Sequence, residues 1–167
     1  MKANILVSAL LLFIIGCTPH QSDRLTQQQK DQIKSEVKAT MDSLITEFER
    51  MDAKREMEFY WDSPDFVAFN PDGSRSDFVG YDKIIMETFN SAAAIKVLTT
   101  REDVIVLTED LAVCGWSGTT RVTLKSGGSI LFDPDALTFV FRKLTSKWKI
   151  IYTHESGTIT TQKAGKK

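Results

Sequence analysis

The sequence predicts an α+β domain, with helices gathered on one face of a curved antiparallel sheet. Three observations predict it. Ile33, Val37, Met41, Leu44, Ile45, Phe48 and Met51 advance in steps of three and four, the spacing of one helix face. From Ala94 onward the pattern changes to period two, with aromatic and β-branched runs separated by polar turns. The last of these runs, residues 136–156, reads as two long strands around Thr145-Ser146-Lys147. Such a hairpin is not stable alone in water and demands a covering layer.

Taken in order, residues 1–16 read as a targeting segment. Lys2 supplies a positive start, and the apolar run from Ile5 to Ile15 is too short to span a bilayer. It ends in Ile14-Ile15-Gly16-Cys17, which resembles the bacterial lipoprotein cleavage box. The resemblance implies cleavage before Cys17, lipidation of that residue, and a domain tethered to a membrane surface of the bacterial cell envelope. An uncleaved signal anchor and ordinary signal cleavage nearby are the alternatives. Residues 17–25 are then the lipidated Cys and a short polar tether.

Thr26 and Gln29 form a capping box that opens a helix running to Met51. Asp52 caps a second helix carrying Met57, Phe59, Tyr60 and Trp61, which ends before Pro64. Residues 65–69 form a short strand. Asn70-Pro71-Asp72-Gly73 turns it, and Asp77-Phe78-Val79 returns. Gly80 ends the return, and a third helix spans 81–90. Residues 95–108 make one long strand, bulged near Arg101-Glu102-Asp103. In the following strand, 111–124, Ala112, Cys114, Trp116, Val122 and Leu124 share the core-facing parity. A further strand from Ser129 is interrupted at Asp133-Pro134-Asp135 before the final hairpin. The domain is thus 26–157, with 158–167 a solvated polar tail.

A chain of 167 residues suits one domain, and a net charge of −1 offers no basic field, so no nucleic acid is expected as a partner. With Cys17 lipidated, Cys114 is left as a lone, buried and inert thiol. No Cys/His cluster, phosphate loop, dinucleotide fingerprint or nucleophile elbow is present. Neither a metal nor a cofactor is expected.

Several local motifs share one order: Tyr60-Trp61 with Asp65-Phe66-Val67 before Pro71-Asp72-Gly73; Gly80-Tyr81-Asp82-Lys83-Ile84; and residues 148–156. Together they resemble the nuclear transport factor 2-like superfamily, and within it the SnoaL-like branch, over residues 28–156. The resemblance implies a cone, its curved antiparallel sheet wrapped around three N-terminal helices, with an apolar pocket at the wide end. It also implies a homodimer through the outer sheet face, where Thr119, Arg121, Thr138 and Arg142 are expected. Isomerases and cyclases of this superfamily use an inward acid beside an apolar wall, sometimes with a Tyr donor such as Tyr60 would supply. No inward Asp matches that pattern here.

His154 shares strand parity with Trp148 and Ile150 and is therefore expected to face the pocket. It would act there as a general base or ligand-orienting donor, or pin the strand end by a hydrogen bond. Tyr60, Trp61, Phe89, Trp116 and Phe139 are candidate ligand-binding residues, with plain core packing as the alternative. Asp133 and Asp135 read as turn-forming residues. The function expected is an envelope lipoprotein whose domain binds a small apolar ligand or a protein partner without catalysis. The alternative is an isomerase, dehydratase or cyclase using His154.

Overall fold

The computed structural model describes residues 25–163, so Cys17 and the targeting segment lie outside the described residues. Helix α1 (Gln27–Arg50) starts at the expected capping box: the Thr26 hydroxyl accepts the Gln29 N–H at 3.2 Å, and the Gln29 side chain accepts the Thr26 N–H at 2.8 Å. Met51, left-handed at φ 59°, ends it. Ile33, Val37, Met41 and Leu44 are buried against the sheet. Removing such side chains from water contributes about 1.5–3 kcal/mol each. Among the described residues, no helix is long and apolar enough to cross a membrane.

Helix α2 (Ala53–Met57) is capped by Asp52 but is shorter than the sequence suggested. It stops because the chain beyond it is claimed by the sheet: the Phe59 carbonyl accepts the Ile150 N–H, and the Trp61 N–H donates to the Ile150 carbonyl, both at 2.9 Å. Strands β1 (Val67–Phe69) and β2 (Arg75–Ser76) form the expected hairpin, with Gly73 at φ +81° in its turn. The return strand through Phe78-Val79 does not form. Asp77 instead caps helix α3 (Phe78–Ser91), its carboxylate accepting the Gly80 N–H at 2.8 Å.

Strands β3 (Ala92–Val106), β4 (Leu111–Leu124), β5 (Ser129–Leu144) and β6 (Lys147–Gln162) complete a six-stranded sheet in the order β2-β1-β6-β5-β4-β3. Adjacent strands run antiparallel except β1 and β6, which are parallel. The architecture is α+β, with three helices and a curved, unclosed sheet. Alternation along β4 follows the expected parity, with Ala112, Cys114, Trp116 and Val122 buried. The bulge in β3 falls between Thr99 and Arg101.

Two departures matter for the site. Asp133-Pro134-Asp135 does not interrupt β5; the strand passes through it with a register shift and a cis bond before Pro134. Residues 158–162 are not a frayed tail, because β6 continues through them, pairing Phe132 with Ile159 and Ser129 with Gln162.

Helix and sheet are joined at their far end by the Glu36 carboxylate, which accepts from Lys143 Nζ at 2.7 Å and Trp148 Nε1 at 2.9 Å. Those two bonds, the Lys143 bond foremost, hold the Glu36 pKa down at about 2. At the β3 edge, the Val97 N–H donates to the Glu49 carboxylate at 2.9 Å, and Lys96 pairs with the same group at 3.6 Å.

Candidate active site

Between the helices and the concave side of the sheet lies a cavity of about 460 Å³. Its walls are apolar: Met41, Leu44 and Phe48 from α1, Ile84 and Ile85 from α3, and Trp116, Val122, Phe132, Phe139 and Ile159 from the sheet. Into this wall project the Tyr60 and Tyr81 phenols and the carboxyls of Glu56, Asp135 and Glu155, with the exposed Asp72 as a further lining carboxyl.

Glu155 points inward because β6 carries a bulge. Phe141 pairs with Ile150 but Val140 pairs with Tyr152, so Ile151 has no partner on β5. One extra residue inverts the facing of everything beyond it. Thr153 is consequently buried, Glu155 reaches the cavity, and His154 turns outward into solvent. The expectation that His154 faces the pocket is therefore corrected: its parity with Ile150 breaks at Ile151. His154 lies instead on the outer face, in a shallow groove with Arg101, Asp103, Thr138 and Ser156 around the bare backbone of Gly115.

Asp135 is brought in by the shift in β5 and is only 2% exposed. Thr120 donates to its Oδ2 at 2.7 Å, while its Oδ1 has no partner. Gly157 stands opposite, where a Cβ would lie 2.6 Å from the Pro134 carbonyl oxygen; only glycine lets the strands approach here. Glu56, on α2, is 2% exposed, and its Oε2 is likewise unpartnered. Tyr60 and Tyr81 bring their hydroxyls to 3.4 Å from each other.

Burial dominates the electrostatics. It pushes the Glu155 carboxyl up to about 7, with the neighbouring Asp135 charge adding to the rise. Burial also raises Asp135, against the opposing Thr120 hydrogen bond, and raises Glu56 well above the usual carboxylate range. Both tyrosines are raised by burial and so keep their protons at neutral pH. The arrangement combines a carboxyl that exchanges a proton near neutrality with hydroxyls able to donate to an oxygen where charge gathers.

Of the residues singled out from sequence, Tyr60, Trp116 and Phe139 line the cavity. Phe89 does not; it packs one layer behind, its ring 5.3 Å from that of Phe48. Trp61 is also absent from the wall and sits half-buried beside β6. Sequence reasoning passed over Glu56 and Tyr81, read Asp135 as a turn residue, and put His154 where Glu155 stands. Among the described residues, no three His, Cys, Asp or Glu side chains are grouped to hold a metal ion.

Comparisons with known proteins agree with this architecture. A candidate scytalone dehydratase from Novosphingobium aromaticivorans superposes with a TM-score of 0.73 at 8% identity, over 85% of this chain and 94% of that one. A nuclear transport factor 2-like superfamily protein from Salmonella enterica gives 0.69 at 14% identity, over 77% and 92%. A hexachlorocyclohexane dehydrochlorinase gives 0.65 at 10% identity, over 81% and 93%. At these identities the likeness is one of fold alone. No curated protein matches the sequence. The SnoaL-like domain model, however, matches residues 37–160, most of the chain and every residue that lines the cavity, and the chain belongs to the SnoaL-like family.

Proposed function

We propose that the cavity binds a compact, mostly apolar molecule and that Glu155 moves a proton to or from it, in the manner of an isomerase or a dehydratase. The observation that carries this reading is the placement of the Glu155 carboxyl in the same apolar wall as the paired Tyr60 and Tyr81 hydroxyls, where burial lifts it to about 7. As a base, Glu155 would take a proton from carbon beside a carbonyl or a leaving group. The tyrosines would donate to the oxygen that becomes negative. Two structural neighbours bear the names of a candidate scytalone dehydratase and a hexachlorocyclohexane dehydrochlorinase. The role first assigned to His154 passes to Glu155.

The test is deuterium exchange into small cyclic ketones followed by NMR. The parent should accelerate exchange at the carbon beside the carbonyl, with a rate that rises as pH passes through about 7, and Glu155→Gln should abolish the acceleration. A ketone that binds without accelerated exchange would leave a binding cavity and remove the catalysis.

Anchorage to a membrane of the bacterial cell envelope through lipidated Cys17 belongs to the same proposal, supported by the cleavage-box match at Ile14-Ile15-Gly16-Cys17. Radiolabelled palmitate should label the parent and not Cys17→Ser. A homodimer through the outer sheet face is also proposed. Ile105, Val113, Val140 and Tyr152 lie in register across β3 to β6 and form an apolar row beside the polar residues expected there. Ile105→Lys should then convert a sedimenting dimer to monomer.

A further inference from the structure

The ionisable lining of the cavity is one-sided: it holds acids and no basic group. It includes the carboxyl side chains of Glu56, Asp72, Asp135 and Glu155 and no Lys, Arg or His. None of the four takes part in an ion pair among the described residues. Buried carboxyls are ordinarily matched by a cation or by a full set of hydrogen bonds. Here Glu56 Oε2 and Asp135 Oδ1, both on residues 2% exposed, have neither. The remaining charge in range, Glu47 on α1, is of the same sign and adds to the burden on Glu56. The other polar atoms at the wall are hydroxyls and the Asn70 amide, none of them cationic.

The same wall presents aromatic faces: Phe48, Tyr60, Tyr81, Trp116 and Phe139. Aromatic faces attract cations through the negative charge above the ring, most strongly where water is excluded. Carboxylates and ring faces converging in one apolar chamber form a receptor for an organic cation. A carboxylate, a sulfate or a phosphate ester would find no cationic partner there.

We propose that the ligand of this cavity is a compact apolar amine, its ammonium group held by Glu56 and Asp135 and its hydrocarbon body packed against Trp116 and Phe139. The inference rests on the cavity being a small-molecule site, and not on proton transfer by Glu155. A bound ammonium would supply the missing partner of Glu56 Oε2 and Asp135 Oδ1. It would leave Glu155 facing the carbon skeleton next to the amine.

A matched series tests it: 1-naphthylmethylamine, 1-naphthylmethanol and 1-naphthoate, titrated calorimetrically into the full chain. The amine should bind at least about tenfold tighter than the alcohol, a factor worth about 1.4 kcal/mol, and the naphthoate weakest of the three. Glu56→Gln combined with Asp135→Asn should abolish the amine's advantage over the alcohol. Each single variant should carry part of the loss, so the result does not depend on the double variant folding. If the alcohol binds as tightly as the amine, or the advantage survives both substitutions, the inference is overturned while the small-molecule site stands. If none of the three binds, the site itself fails and the inference with it.

Discussion

The stability of this protein should fall as the pH rises from 5 to 8, and Glu155 should account for a large share of the fall. Its carboxyl titrates at about 7 in the folded protein against an ordinary value of 4.5, chiefly because burial disfavours the anion. The folded state therefore holds this proton more tightly than the unfolded chain does. The resulting stabilisation is complete below pH 4.5 and is lost as the pH rises through about 7. At about 1.4 kcal/mol for each tenfold change in proton affinity, the difference is about 3 kcal/mol. Asp135 and Glu56 are raised as well and act with the same sign. Glu36, held at about 2, loses its contribution only under stronger acid and is constant across this window. Urea unfolding of the parent and of Glu155→Gln at pH 5 and pH 8 isolates the Glu155 share. The parent should lose about 2.5 kcal/mol more than the variant between the two pH values, the rest of the difference lying below pH 5. Equal losses in parent and variant would refute the placement of Glu155 in a dry wall.

Other outcomes follow from the same geometry. Glu36→Gln removes the charged acceptor shared by Lys143 and Trp148 and, with these groups partly open to water, should cost about 1–2 kcal/mol by urea titration at pH 7. Gly118→Ala should cost about 2 kcal/mol or more, since a Cβ there would lie 2.2 Å from the Leu98 carbonyl oxygen, a backbone atom that cannot rotate away. His154→Ala, on the exposed outer face, should change stability by less than about 0.5 kcal/mol and leave binding in the cavity unaltered. Cys114, fully buried and with its thiol pushed up to about 12 by burial, should resist a disulfide reagent at pH 8 until the protein is unfolded.

Much of the fold could be read from local pattern because local physics decides it. The Thr26–Gln29 box and the stripe from Ile33 to Leu44 need no tertiary information to specify a helix and its buried face. Strict alternation from Ala112 to Trp116 likewise fixes which side of β4 meets the core. The site was harder because it depends on two slips in register. Ile150-Ile151-Tyr152 is apolar at every position, so nothing in it marks Ile151 as the extra residue, and a period-two count carried through it assigns the wrong face to His154 and Glu155. Asp133-Pro134-Asp135 has the composition of a turn, and the pairing that draws Asp135 into the core is made by Gly157, more than twenty residues away. A signal was available in retrospect. A glycine on one strand facing a proline-broken segment on another is the usual mark of a bulge.

The Glu49 carboxylate beside Val97 has a consequence for how the protein avoids its own kind. The sheet is unclosed, and β3 forms its long margin, a row of backbone groups of the kind on which a neighbouring copy can template another strand. Glu49, anchored in α1, already occupies the Val97 N–H, so an incoming backbone would have to compete with it there. The break in register after Thr99 then spoils the straight alignment an intruder would need farther along. The open margin is thereby a poor template for further strands.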